Sequence, residues 1–390
     1  MRLTTKSMMS LSPTRIILVR HGQSTFNAQK RFQGSCDDST LTAKGHQDAY
    51  EVGRALRGIT LAAAYVSPLQ RAKATANSML MGMAVTPANC PQIEYRAELR
   101  EIDLPNWQGL SYQYVREQFA EEYRCWKERP DQFQMIAERP PIQSTAGTAV
   151  ATIATTTYPL LELRDRVRHF WQVVLPRHRG ETIAIVSHGG TIRALINEAL
   201  GIPVKQFHAI QQSNGGISQL LFTADGGATL EWMNTTTHLG EALPKLKEGK
   251  QGLRLLLVSS ESGEQLPLLA ARLSSVDIDF CIGEMEAQMV VNSLLQHHPD
   301  TVQLQVAQHD FAATWQRHIL ANQSARSLPQ LRPTTGLVVA NPNLIRQMIG
   351  LVMGLPESQR ECLAIAPDKF SVIHYPLASQ TAVLQALNFG

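Results

Sequence analysis

Short runs of β-branched and aliphatic residues punctuate the first half of the chain, at 16–19, 63–66 and 182–186, and recur in the second at 255–258 and 336–339. Helical patterns follow at 43–56, 71–80, 161–175 and 191–200, the first opening after Thr42 and the last stopping at Gly201 with Pro203 beyond it. Strand alternating with helix predicts βαβ units and an α/β fold with a largely parallel sheet.

Two stretches break the rhythm. Residues 105–141 are rich in aromatic and charged side chains at partly helical spacing, and 143–157 read as a Thr/Ala-rich low-complexity loop. Residues 240–252, with Pro244, three lysines and three glycines, read as a polar interdomain linker.

What lies beyond that linker is decided by an internal repeat. Residues 183–203 laid without a gap over 336–356 give identity at Val186/Val339, Ile192/Ile345, Arg193/Arg346, Ile196/Ile349, Gly201/Gly354 and Pro203/Pro356. Chance supplies about one such match in a window of this length. RIILV at 15–19 also matches RLLLV at 254–258, in the same order within each half. The chain is therefore expected to hold a flexible arm at 1–13, one complete domain at 14–240 with an insertion at about 105–157, and a shortened copy at 252–390.

Composition narrows the function. With 390 residues, 18% charged and a net charge of +3, the chain has ample apolar material for real cores and no basic block to neutralise a phosphate backbone, so nucleic acid is not an expected partner. The five cysteines form no CxxC pair, which speaks against a zinc knuckle or disulfide framework and for a reducing cytosol. No apolar run approaches the roughly 20 residues of a membrane span, so a membrane is not expected either. The first fourteen residues lack the apolar stretch of a secretion signal; a short organelle-targeting remnant is the alternative to a loose arm, and Met8 or Met9 the alternative starts.

The chemistry sits at the strand ends. The first strand runs into Arg20-His21-Gly22, and at the carboxyl end of a parallel strand such side chains enter the ligand crevice. A neutral imidazole can attack phosphorus, a guanidinium spreads two donors over phosphate oxygens, and glycine admits the ligand to the backbone. A second strand ends in Ser187-His188-Gly189-Gly190 before a helix whose N-terminus suits an anion. Arg71 stands at a third strand-turn-helix junction, and Glu98, Glu101 or Asp103 could protonate a departing alkoxide.

In their order along the chain these motifs resemble the histidine phosphatase superfamily, the phosphoglycerate mutase-like family, over about residues 14–231. The resemblance implies a three-layer α/β/α fold, a phosphohistidine intermediate and no metal or other cofactor. It assigns His21 as nucleophile, Arg20, Arg71 and His188 around the phosphoryl group, and Glu101 as the proton donor. Asn27, Gln33 and Gly34 complete the phosphate pocket, with the Gly189 backbone beside it. The insertion resembles the family's cap, from which Trp107, Gln108, Tyr112, Arg116, Tyr123, Arg124 and Lys127 are the candidates for reading the substrate, although aromatic packing would explain any one of them equally. Pro105 departs from the glycine many members carry there, altering the turn into the cap.

The second copy has Ser259, Ser260 and Asn341 where the first has Arg20, His21 and His188, with Glu286 or Ala287 near the place of Arg71, so it is expected to be catalytically dead. A two-copy chain with one intact site, carrying Glu101-Ile102-Asp103-Leu104 and Tyr123-Arg124-x-Trp126-Lys127, is similar to the cyanobacterial and plastid branch that includes 2-carboxyarabinitol-1-phosphate phosphatases. The expected activity is a phosphomonoesterase of a small anionic sugar phosphate or phosphorylated acid, with a cytoplasmic location and a small phosphorylated metabolite as partner. Phosphoserine phosphatase and phosphoglycerate mutase are the alternatives. The second copy is expected to be structural, dimer-forming or metabolite-sensing.

Overall fold

The computed structural model describes residues 12–139, 153–247, 249–261, 263–307, 332–377 and 381–390. Most of the N-terminal arm and much of the loop expected at 143–157 lie outside them.

The expected strands are all present: β1 (Thr14–Arg20), β2 (Ala63–Val66) and β6 (Thr182–Ser187) in the first half, β9 (Gly252–Ser259) and β12 (Thr334–Ala340) in the second. To these the fold adds β3 (Gln92–Tyr95), β7 (Ile217–Phe222), β8 (Ala228–Thr235), β10 (Phe280–Glu284), β11 (Val302–Val306), β13 (Phe370–Pro376) and β14 (Val383–Phe389). A separate pair, β4 (Met135–Arg139) with β5 (Ile153–Thr157), is antiparallel. Residues 153–157 are thus strand instead of loop: isoleucine and three threonines favour extended backbone, a preference the low-complexity composition concealed.

The main sheet has twelve strands in the order β11-β10-β12-β9-β13-β14-β8-β7-β1-β6-β2-β3. Each half contributes four parallel strands followed by two antiparallel ones, and the sequence of pairings in one half is repeated in the other. The two six-stranded halves meet edge to edge where β14 runs antiparallel to β8, Leu387 opposite Met233. This junction is nearly two-fold: Asn234 donates through Nδ2 to the Gln385 carbonyl at 2.6 Å, and Asn388 donates through Nδ2 to the Glu231 carbonyl at 2.5 Å. Both asparagines have left-handed backbones, φ 57° and 50°, a conformation asparagine tolerates better than most residues. Ile210 bridges to Leu384 and, reciprocally, Leu230 to Leu363. Pairing of this kind closes two edges that would otherwise be open to aggregation.

Helices cover both faces of the sheet. In chain order the first half carries α1 (Thr25–Ala28), α2 (Ala43–Ala55), α3 (Gln70–Met83), α4 (Tyr112–Gln118), α5 (Ala120–Glu128), α6 (Pro159–Val174) and α7 (Gly189–Leu200). Helices α2 and α3 pack one face through Val52, Ala72, Ala76 and Met79 against Ile17, Val19, Ala64 and Val186. On the other face Leu163, Val167 and Phe170 of α6 and Ile192, Leu195 and Ile196 of α7 meet Ile16, Leu18 and Ile185. Apolar runs in the strands follow from this double burial. Thr42 caps α2 as expected, its hydroxyl accepting from the Gly45 N–H at 3.0 Å.

The second half carries α8 (Leu266–Leu273), α9 (Gln288–Leu294) and α10 (Pro342–Met353). Gly201 after α7 and Gly354 after α10 both end their helices in the left-handed region, φ 67° and 69°. Ile345, Met348 and Ile349 of α10 join the same hydrophobic core as α7, so one apolar layer runs beneath both halves. No helix among the described residues is long and apolar enough to cross a membrane.

Candidate active site

Parallel β1 and β6 are neighbours, with Arg20 in register with Ser187, so their carboxyl ends deliver His21 and His188 side by side. The ring centroids are 5.1 Å apart and the planes inclined at 58°. His21 is 1% exposed and His188 fully buried. The Nδ1 of His21 lies 2.7 Å from the Gly22 carbonyl. A carbonyl only accepts, so Nδ1 carries the proton and Nε2 presents its lone pair. Burial, then the charges of Arg20 and Arg71, push the His21 imidazolium well below the usual histidine range. His188 is lowered in the same way, by burial first and Arg71 second.

The Nε2 of His188 lies 2.7 Å from the Ser67 hydroxyl, at the end of β2, while its Nδ1 is buried with no hydrogen-bond partner. If Ser67 donates, the Nδ1–H of a neutral His188 is left as a donor for an oxygen in the crevice.

Two guanidinium groups are fixed by loop carbonyls. Arg20 donates through Nη1 to the Gln212 carbonyl at 2.8 Å. Arg71, fully buried, donates to the Cys36 carbonyl at 2.9 Å and the Gly34 carbonyl at 3.0 Å. Each retains a buried Nε without a partner, a placement that suits further donation to an anion.

Glu101 reaches the N-terminus of α7. The Gly190 and Thr191 N–H groups each donate to its carboxylate at 3.1 Å, and the Ile102 N–H donates at 2.9 Å. The carboxylate therefore occupies part of the helix-terminal site that the sequence suggested for an anion. A cavity of about 490 Å³ opens beside it, its wall including Arg20, Asn27, Gln33, Gly34, Glu101, Arg116 and Gly189. His21, Arg71 and His188, all buried, lie off this wall.

The surrounding pocket residues are locked together. Asn27 closes a capping box with Ser24 on α1, and its Oδ1 also accepts from Asn214 at 2.9 Å. The Gln33 Oε1 accepts from the Ser24 hydroxyl at 2.9 Å. Gly34 has φ +56°, and a Cβ there would lie 2.7 Å from the Gln108 amide.

Three of the expected cap residues, Trp107, Gln108 and Arg124, do not reach the cavity. Trp107 is 1% exposed and packs on Phe32 and Phe133 with centroids 5.2 and 5.0 Å away; its apolar ring serves the core of the cap. Gln108 donates to Asp103 at 2.9 Å and backs Gly34 from outside the cavity. Arg124 pairs with Glu121 away from the cavity, while Tyr112, Arg116, Tyr123 and Lys127 line it, joined by Trp126. Arg193, Gln212, Asn214 and Lys247 also line it and were not singled out as binding residues. Identity of Arg193 with Arg346 was a usable signal for the first; the others come from loops without a motif. Among the described residues no group of three or more His, Cys, Asp and Glu is placed to hold a metal ion.

The model of the histidine phosphatase superfamily, branch 1, matches residues 16–235. The chain belongs to this superfamily. Its first half is similar to 2-carboxy-D-arabinitol-1-phosphatase of Triticum aestivum, 32% identical over 213 residues that make up 55% of this chain and 38% of that one. It is also similar to phosphoserine phosphatase 1 of Hydrogenobacter thermophilus, 27% identical over 58% of this chain and 95% of that one. The chain spans about two fifths of the length of the plant relatives it matches. Among solved structures, phosphoserine phosphatase of Entamoeba histolytica with 3-phosphoglyceric acid is 26% identical over 58% of this chain and 99% of that one, with a TM-score of 0.45.

The corresponding strand ends of the second half carry different chemistry. Ser259 opposes Ala340 as Arg20 opposes Ser187, so Ser260 and Asn341 occupy the positions of the two histidines. Strand register puts Glu284 at the place of Ser67 and Gln288 at that of Arg71, two residues or one beyond the Glu286 or Ala287 expected from sequence, where the loop length had blurred the alignment. Glu284, 4% exposed, accepts from the Asn341 N–H at 2.9 Å and from its Nδ2 at 2.5 Å. A carboxylate locked to an amide has replaced a hydroxyl locked to an imidazole.

Proposed function

We propose that the protein is a phosphomonoesterase that works without a metal through a phosphohistidine on His21, and that its substrate is a small anionic sugar phosphate or phosphorylated acid. The observation that carries this reading is the tautomer of His21: with Nδ1–H held by the Gly22 carbonyl, the buried Nε2 has a lone pair for phosphorus. In the first step Nε2 forms the N–P bond as the ester P–O bond breaks, and the Glu101 carboxyl gives its proton to the departing alkoxide. In the second step the Glu101 carboxylate takes a proton from water, whose oxygen attacks phosphorus. The N–P bond breaks, leaving orthophosphate and neutral His21. Arg20, Arg71 and the His188 Nδ1–H spread the charge of the transferring group over its oxygens.

The similarity to the plant 2-carboxy-D-arabinitol-1-phosphatase supports a sugar acid phosphate as substrate. A second reading, phosphoserine phosphatase, is supported by the bacterial relative matched over 95% of its length. A mutase would return the phosphoryl group from His21 to the product. We place the enzyme in the cytoplasm, where the free thiols of Cys36, Cys90, Cys125, Cys281 and Cys362 would remain reduced. The second half, in this reading, performs no chemistry and supports the first.

Phosphate release from 2-carboxyarabinitol 1-phosphate, xylulose 1,5-bisphosphate, fructose bisphosphates, phosphoserine and 3-phosphoglycerate tests the reading. Release from the sugar phosphates is expected to exceed release from phosphoserine, with no 2-phosphoglycerate formed. Conversion of 3-phosphoglycerate to 2-phosphoglycerate without phosphate release would make the enzyme a mutase.

A further inference from the structure

Lys247 lies twelve residues past the end of the family match at residue 235, in the segment expected to be a plain linker, yet it lines the active cavity. The segment is fastened there from both halves. Gln211 donates through Nε2 to the Lys245 carbonyl at 2.9 Å, and Lys245 pairs with Glu241 at 2.8 Å. From the second half, the buried guanidinium of Arg254 on β9 donates to the Pro244 carbonyl.

The Lys247 ammonium donates to the carbonyl of Gln212, the same oxygen that receives Arg20 Nη1. The Gln212 side chain is 1% exposed and lines the cavity, and neither its Nε2 nor its Oε1 has a hydrogen-bond partner. An amide buried in this way is costly unless a ligand supplies the partners. Arg116, Lys127 and Arg193 bring further positive charge to the wall, against a single carboxylate, Glu101, among the described lining residues. A phosphoryl group is already met by Arg20, Arg71 and His188 in the proposed mechanism. The cavity, about 490 Å³, is many times the roughly 30 Å³ that one water occupies, so it has room for the rest of a sugar-sized molecule.

We propose that Lys247 and Gln212 form a specificity subsite for a second anionic group of the substrate, a carboxylate or a second phosphate, with Arg193 and Arg116 completing it. The inference rests on the phosphatase reading and deepens it. Lys247 supplies the charge, and the Gln212 amide donates to one oxygen of the second group while its carbonyl accepts from a neighbouring hydroxyl. The second half then serves the first by holding a lysine over its cavity, a contribution that a dead copy can make without chemistry of its own.

Titration calorimetry of the full chain with non-hydrolysable ligands tests the subsite separately from catalysis. The probes are methylphosphonate with one anionic group, phosphonoacetate with an added carboxylate, and propane-1,3-diphosphonate with an added phosphonate. The wild type is expected to prefer at least one two-anion ligand over methylphosphonate by tenfold or more, and whichever is preferred identifies the second group. Lys247→Met and Gln212→Met should each reduce that preference about tenfold, and Lys247→Arg should restore most of it. An absent preference in the wild type, or equal losses for one-anion and two-anion ligands in both variants, overturns the subsite. Failure of the wild type to release phosphate from any monoester would overturn the phosphatase reading instead, and the binding comparison would still decide the subsite.

Discussion

The imidazoles of His21 and His188 face each other 5.1 Å apart at the ends of adjacent parallel strands, and burial beside Arg20 and Arg71 keeps both below the usual histidine range. His208, buried under the cap with Lys127 and Arg193 nearby, is lowered as well. The unfolded chain therefore takes up protons at these positions near pH 6.5, before the folded chain does. Stability is full above that pH and is lost as pH falls below it, each of the three histidines adding to the decline. Urea unfolding at pH 7.5, 6.5 and 5.5 is expected to show this decline, and nitrogen-15 NMR of the rings should show both site histidines still neutral at pH 6.

Glu101→Gln keeps the acceptor for the α7 N–H groups on one oxygen and removes the proton donor. For an alkyl phosphate the loss in kcat is expected to be about 10²–10⁴-fold. For p-nitrophenyl phosphate, whose leaving group needs no proton, the first step should survive and only the hydrolysis of the intermediate should slow. A comparison of the two substrates by stopped flow separates these steps, and an equal loss on both would remove Glu101 from the acid role.

Gly190 holds Glu101 at close range: a Cβ at this position would lie 2.5 Å from the Glu101 Oε1. Gly190→Ala must push the carboxylate off the start of α7. Because alanine is a good helix residue, the fold should be retained, with kcat falling at least tenfold and the thermal midpoint changing by only a few degrees.

The junction between the halves makes a separate prediction. Asn388→Ala removes the donor to the Glu231 and Ala364 carbonyls and puts alanine at φ 50°. Two half-buried carbonyls deprived of their donor and a left-handed backbone together should cost about 2–4 kcal/mol. Since one apolar layer runs beneath both halves, urea unfolding followed by tryptophan fluorescence, to which the first half contributes four of the five tryptophans, should shift as much as circular dichroism of the whole.

Strand ends are the most legible part of the sequence, because Arg20-His21-Gly22 and Ser187-His188-Gly189 each follow a short apolar run, and two histidines placed in the same way reinforce each other. The duplication was legible for the same reason: Gly201 and Gly354 both mark a helix end that needs a left-handed residue. Edge and antiparallel strands such as β3, β11 and β13 escaped notice, since half-exposed or mixed patterns resemble loops. Trp107 and Gln108 were attributed to the cavity because an aromatic cap looks alike whether its rings face inward or outward, and only packing on Phe32 and Phe133 decides. Gln212 and Lys247 were beyond reach, because their place depends on how the connecting segment folds back between Gln211 and Arg254.

The central claim is the covalent step at His21. With p-nitrophenyl phosphate the first step should outrun hydrolysis, so a rapid acidic quench followed by immediate neutralisation and peptide mass spectrometry should catch phosphate on the peptide containing His21. A base-stable, acid-labile phosphoryl group is expected on that histidine, formed at the rate of the p-nitrophenolate burst and absent from His21→Ala, whose turnover should fall at least about 10³-fold. Phosphate on another residue, or full turnover by His21→Ala, would contradict it.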